Sequence, residues 1–173
     1  FETENYLAVH HEEMYKTYQG IAKQVKHLKG KSFVKATPII NRLKKENKKV
    51  DIILVDEAHL LLTKQDVWKN FKANNHLEEL LKLAKIVIVI FDKNQILKLK
   101  SYWDTDVFAK IKKLSSYHES YQLTNQFRMK ASEEIIEWIN GFKNKVLKSV
   151  PKSTKEYEFK VFETIEEMHK KII

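Results

Sequence analysis

Apolar positions along the chain fall into two alternating patterns. Short runs at 50–55, continuous apart from Asp51, and at 86–91 have the length and β-branched content of strands buried on both faces, the kind found inside parallel sheets. Around them, apolar residues recur every three or four positions. Residues 11–27 place Met14, Tyr15, Tyr18, Ile21, Ala22 and Val25 at that spacing, which predicts a helix ended by Gly30. Thr37-Pro38 predicts a helix start, with Ile39, Ile40 and Leu43 on one face and the basic run 44–49 as a solvated turn. The same reading predicts helices at 66–71, 77–83, 104–114, 132–147 and 166–173, and strands at 6–9, 120–123 and 157–162. Strand and helix patterns that alternate predict an α/β fold, a three-layer parallel sheet with helices on both faces. The polar stretch 151–156 suggests a boundary, with a main domain at 1–150 and a connecting strand and helix at 151–173.

A length of 173 residues fits one core, and 43% hydrophobic residues are too many for a disordered chain. No apolar run approaches the roughly 18 residues of a membrane span. The absence of cysteine excludes a disulfide framework, a thiol nucleophile and a Cys-ligated zinc site; with no secretion pattern, the default expectation is cytoplasmic. The net charge of +9 makes polyanions, nucleic acid first, the expected partners. All but two of the basic residues are lysine, which suits nonspecific phosphate contact and leaves Arg42 and Arg128 as the only guanidinium groups.

The sharpest chemistry is Ile52-Ile53-Leu54-Val55-Asp56-Glu57-Ala58-His59, an apolar strand that runs into two acids. Ligands of a parallel sheet sit at the carboxyl ends of its strands. There one carboxylate of the pair Asp56 and Glu57 could hold Mg²⁺, directly or through water, while its neighbour orients or deprotonates a water aimed at a terminal phosphate. The alternative is a pair of solvated acids capping the next turn. A second apolar strand runs into Asp92-Lys93-Asn94-Gln95, whose amide could bond a γ-phosphate or its attacking water, although such residues also suit an ordinary turn. In Tyr121-Gln122-Leu123-Thr124-Asn125-Gln126-Phe127-Arg128, Arg128 could neutralise charge on a transferring phosphoryl group or pair with Glu133 or Glu134.

Taken in order, these segments resemble the motifs of superfamily 1 helicases, and more closely the Schlafen-group DNA/RNA helicase-like family. Leu7-Ala8-Val9-His10-His11-Glu12 with Tyr15 and Tyr18 is similar to that family's segment after its first helix. Lys35-Ala36-Thr37-Pro38-Ile39-Ile40-Asn41 resembles its lysine, proline and asparagine stretch. Residues 51–61 resemble its DEAH box, 91–95 its Asp-x-x-Gln motif, and 122–128 with Glu137-Trp138-Ile139 its Gln-Phe-Arg segment and following helix. The resemblance implies a RecA-like P-loop ATPase that uses ATP and Mg²⁺ and is coupled to DNA or RNA. It assigns Asp56 to the Mg²⁺ of the nucleotide, Glu57 to the hydrolytic water, Gln95 to sensing the γ-phosphate and Arg128 to contacting it. Helicases of this kind also stack bases on aromatics after the glutamine motif, which makes Tyr102 and Trp103 candidates, with helix packing the alternative for Trp103.

The chain departs from the family in its phosphate-binding loop. The nearest match to G-x-x-x-x-G-K-[ST] is Gly30-Lys31-Ser32, which has Val25 where the first glycine is required and is predicted to follow a helix rather than a strand. With only three glycines and a start at Phe1, the chain is expected to be the later part of a first RecA-like domain, inactive by itself. The competing class is a non-catalytic nucleic-acid or protein-binding module on a degenerate nucleotide fold; an ATPase switch that never unwinds a duplex is a third. His10, His11, Glu12 and Glu13 lack the H-E-x-x-H spacing of a helix-borne zinc site and read as an acid-rich helix start.

Overall fold

The structure, a computed structural model, describes residues 3–92, 95, 103, 105–123, 131–153, 158 and 160–172. It forms two compact units, Phe1–Glu119 and Ser120–Ile173.

The first unit is built on four parallel strands, β1 (Asn5–Ala8), β2 (Phe33–Val34), β3 (Val50–Val55) and β4 (Ala84–Val89), in the order β2-β1-β3-β4. Between them run α1 (Glu12–Gln24), α2 (Ala36–Lys45) and α3 (His76–Leu83), and α4 (Thr105–Lys112) follows β4. Parallel neighbours need such crossovers, and helices with one apolar stripe supply them. The α/β expectation is met.

Register divides the sheet into two faces. Tyr6, Ile53 and Val87 are cross-strand neighbours, as are Ala8, Val55 and Val89. This face packs on Ile39, Ile40 and Leu43 of α2 and Leu77 and Leu80 of α3 in one core, which Phe71, Trp103 and Ile111 extend. On the opposite face lie Phe33, Leu7, Leu54 and Ile88 in one row and Ile52 and Ile86 in the next. Here α1 covers the β2 end, where Tyr18 stacks on Phe33 with ring centroids 5.3 Å apart. At the β4 end the face is open. Ile86 and Ile88 are 53% and 46% exposed, so the two-sided burial predicted for 86–91 is corrected. The reason is position, since β4 is an edge strand among the described residues.

Other expectations shift for local reasons. α1 ends at Gln24, because Val25 is already extended (φ −100°, ψ 118°) and His27 has φ 72°. Gly30 therefore does not end the helix. It opens a 3₁₀ turn, Gly30–Ser32, where its carbonyl accepts a hydrogen bond from Gln19 Nε2 at 2.9 Å. A turn between a helix and a strand is the reverse of a phosphate loop's context. Residues 66–71 form a closed turn rather than a helix, with Asp66 and Phe71 bridged and only Val67–Lys69 in a 3₁₀ turn.

In the second unit, α5 (Glu133–Lys143) stops short of the predicted 147. Lys145 takes φ 62° and Val146 N donates back to Gly141 O at 2.8 Å. A Cβ on Gly141 would sit 3.1 Å from that returning Val146 carbonyl, which favours glycine there. The Trp138 indole nitrogen donates to Lys148 O at 3.0 Å. α6 (Ile165–Ile172) follows, with Glu166 and Glu167 in its first turn and His169, Lys170 and Lys171 in its last, matching the helix dipole. No strand forms at 120–123 or at the described residues of 157–162. Tyr121 and Leu123 are exposed instead, and an extended segment becomes a strand only with a ladder partner.

Candidate active site

All four strands point the same way, so Ala8, Val34, Val55 and Val89 end at one edge of the sheet. The residues that follow them are the predicted chemical ones. The Asp56 amide donates to Ala8 O at 3.0 Å, the Ile90 amide to Val55 O at 2.9 Å, and the Ala58 amide to Ile90 O at 2.8 Å. These bonds extend the ladder past the strands and pin the DEAH segment between β1 and β4. Buried Ala58, Leu61 and Leu62 anchor the chain beyond it, leaving Asp56 and Glu57 half-buried at the edge.

Glu57 has a left-handed backbone (φ 52°, ψ 47°), a conformation that costs a residue with a Cβ about 1 to 2 kcal/mol. It caps the 3₁₀ turn Ala58–Leu60, with Leu60 N donating to its carbonyl at 2.9 Å. Its carboxylate lies 3.1 Å from His59 Nε2. His59 is buried, and its Nδ1 accepts the Asp92 backbone N–H at 3.4 Å. An amide can only donate, so the ring proton belongs on Nε2, facing Glu57. His59 thus links the first acidic motif to the second and fixes the direction of the Glu57 carboxylate. Phe91 closes the ring's other side, edge-on at 6.1 Å between centroids. Sequence reading missed His59, whose partners lie 2 and 33 residues away; its adjacency to the acids was the available signal.

Gln95 lies in the turn after β4. Its amide nitrogen donates to Asp92 Oδ2 at 2.9 Å and its backbone N–H to Asp92 O at 3.2 Å. Asp92, His59, Glu57 and Gln95 are therefore connected by hydrogen bonds. Arg128 and Tyr102 lie outside the described residues. Trp103 is buried in the core, 5.8 Å from the Phe91 ring and edge-on to it, the position that the packing alternative expects.

At the β1 and β2 ends, Lys35 pairs with Glu12 and lies 5.8 Å above the Tyr15 ring. The ammonium group holds the exposed Glu12 carboxyl below its ordinary pKa. His11 precedes α1, with Glu12 and Glu13 in its first turn, the placement a helix dipole favours. Among the described residues, no three or more His, Asp or Glu side chains gather as a metal cage. The acids at this edge are hard oxygen donors, half-open to water, which suits Mg²⁺ held jointly by one carboxylate, water and phosphate oxygens.

No helix among the described residues is long and apolar enough to cross a membrane. An uncharacterized protein of Saccharomyces cerevisiae is 37% identical over 147 residues, covering 80% of this chain and 32% of that protein. The chain thus spans about a third of the length of this curated relative. No solved structure matches it. The family described as Schlafen group 3, DNA/RNA helicase domain, matches residues 2–173. With the parallel sheet and an acidic pair at its carboxyl edge, this match over nearly every residue places the chain: it belongs to the Schlafen group 3 DNA/RNA helicase domain family.

Proposed function

We propose that this chain supplies the hydrolytic half of an ATP-dependent motor or switch coupled to DNA or RNA. The observation that carries the reading is the Glu57 carboxylate, presented beyond β3 and held by His59, which is itself bonded to the segment after β4. Asp56 is the carboxylate for the Mg²⁺ of a nucleotide. Glu57 accepts the proton of a water that attacks the γ-phosphorus as the bond to the β,γ-bridging oxygen breaks, giving ADP and inorganic phosphate. His59 is a positioning residue for Glu57. Gln95, tethered to Asp92, is suited to report the γ-phosphate, and the family resemblance assigns Arg128 to contact it.

The 173 residues contain no G-x-x-x-x-G-K-[ST] sequence, so turnover requires that loop from outside them. The test is ATPase activity of a protein containing these residues and a phosphate-binding loop, measured with and without single-stranded DNA or RNA. Turnover that nucleic acid stimulates, and that Glu57→Gln reduces by about a hundredfold or more, supports the reading. The conservative His59→Gln variant should lower kcat with KM for ATP little changed, as expected of a group that only aims the carboxylate. Turnover unaffected by Glu57→Gln would overturn it. Nucleic-acid binding with no turnover would favour the binding-module alternative, which the charge of +9 supports.

A further inference from the structure

Beyond the DEAH segment, residues 63–75 lead into α3. Its middle is a closed turn in which Asp66 and Phe71 exchange two backbone hydrogen bonds, each 2.9 Å. Lys69 N donates to Asp66 O at 3.2 Å and Asn70 N to Val67 O at 2.9 Å. Asn70 takes the left-handed conformation (φ 52°, ψ 37°), which asparagine tolerates better than most residues. The base of the turn is fixed. Phe71 is buried with its ring 4.0 Å from that of His76, and Asn41 Nδ2 donates to Asn70 O at 3.1 Å. This built backbone nevertheless presents its two apex side chains to water, Val67 at 87% and Trp68 at 96% exposed. An indole left that open contributes almost nothing to the core, and with Val67 beside it forms an exposed apolar pair on a backbone that is itself fixed.

The charge around it indicates which partner. Lys64, Lys69 and Lys72 lie within four residues of Trp68 in the chain, all exposed, and none has an ion-pair partner among the described residues. By contrast, Lys44 and Lys82 are both engaged by Glu79. The segment's only acid, Asp66, is buried. Beside the turn lies a cavity of about 370 Å³ lined in part by Asn41, Lys44, Asn70 and Lys72. An exposed aromatic plane with unpaired lysines beside it in the chain, and with amide donors in the adjacent cavity, matches a base and its flanking phosphates; protein contact surfaces, by contrast, are depleted in lysine.

We propose that turn 66–71 binds single-stranded nucleic acid, with a base stacked on Trp68 and phosphates held by Lys64, Lys69 and Lys72. The assignment shares with the proposed function the expectation of a nucleic-acid partner, but it rests on this surface alone and needs no nucleotide chemistry. The experiment is fluorescence anisotropy of a labelled oligothymidylate of about 15 nucleotides, titrated with the chain at low salt and without ATP. Trp68→Ala should weaken binding by about tenfold or more, with Trp68→Phe in between. Lys69→Gln with Lys72→Gln should weaken it further and flatten its dependence on salt. Circular dichroism controls for folding, which substitutions at an exposed apex should leave intact. A wild-type chain that binds no oligonucleotide overturns the proposal, as does a Trp68→Ala chain that binds as tightly as the wild type. Oligonucleotide binding through Trp68 by a protein that carries a phosphate-binding loop and still hydrolyses no ATP would support this site while rejecting the motor reading, so the two can fail separately.

Discussion

His76 joins three parts of the first unit through one ring. Its Nδ1 accepts the Leu62 N–H at 3.0 Å, which puts the ring proton on Nε2, 2.9 Å from Thr37 Oγ1. Its own backbone N–H donates to Leu62 O at 2.9 Å. Burial, then the charges of Lys69 and His10, push its pKa from 6.5 down to about 3, against a smaller opposing pull from Asp66. The sign follows from linkage. Above pH 6.5 the ring is neutral in both states and contributes no pH dependence. Below it the unfolded chain takes up a proton that the folded ring refuses until about pH 3, so stability falls with pH across that window by up to about 1.4 kcal/mol per unit. Between pH 7 and 5 this group alone should remove about 2 kcal/mol, read by urea unfolding at each pH. Glu79 also favours acid unfolding, though lower down: burial pushes its carboxyl up, but Lys44 and Lys82 outweigh burial and hold it below its ordinary value of 4.5. The stability it gives is present above that ordinary value and is lost as pH falls through the lowered one. His76→Gln should therefore flatten the slope between pH 7 and 5; an unchanged slope would move the acid sensitivity to another group.

At the level of elements, α3 shows how a short helix of 8 residues is made to start in one place. Asn75 Oδ1 accepts from Leu77 N at 2.8 Å and Glu78 N at 3.3 Å, satisfying two of the helix's free donors in a buried setting. Asn75→Ala should cost about 1 kcal/mol, with Asn75→Asp recovering most of it, both measured by chemical denaturation. The α3 apolar face was legible because Leu77, Leu80 and Leu81 keep helical spacing. The same spacing rule misread 66–71, where Val67, Trp68 and Phe71 mimic a stripe. Six residues cannot sustain an isolated helix, and the pairing of Asp66 with Phe71 through a left-handed Asn70 decides the turn. Strand 120–123 failed for a related reason, since alternation describes a strand but does not supply its neighbour. The acidic pair was readable because an apolar strand and its exit are contiguous in sequence. The His59 link from Glu57 to Asp92 was not, because it exists only once β3 and β4 lie side by side. Exposure of Trp68 was equally hidden, since hydrophobic pattern assigns an indole inward by default.

Over the whole first unit, β3 and β4 carry equally apolar sequences that do very different energetic work. Ile53 is fully buried between Tyr6 and Val87 on the face packed by α2 and α3. Ile88, on the opposite face beside Leu54, is 46% exposed. Composition cannot separate the two isoleucines; strand register and helix placement do. Ile53→Ala removes a buried side chain and leaves a cavity, so it should cost about 3 to 4 kcal/mol. Ile88→Ala gives up only part of a side chain's burial and should cost about 1 kcal/mol. The same exposure has a second consequence. Among the described residues β4 is an edge strand, and an edge strand with an open apolar face is a template for association with other chains. Ile86→Lys with Ile88→Lys should lower self-association in sedimentation at high concentration while keeping the far-ultraviolet circular dichroism of the parent. If Ile88→Ala destabilises the chain as much as Ile53→Ala does, the β4 end of this face is covered in solution and the two-sided burial written into its sequence is realised after all.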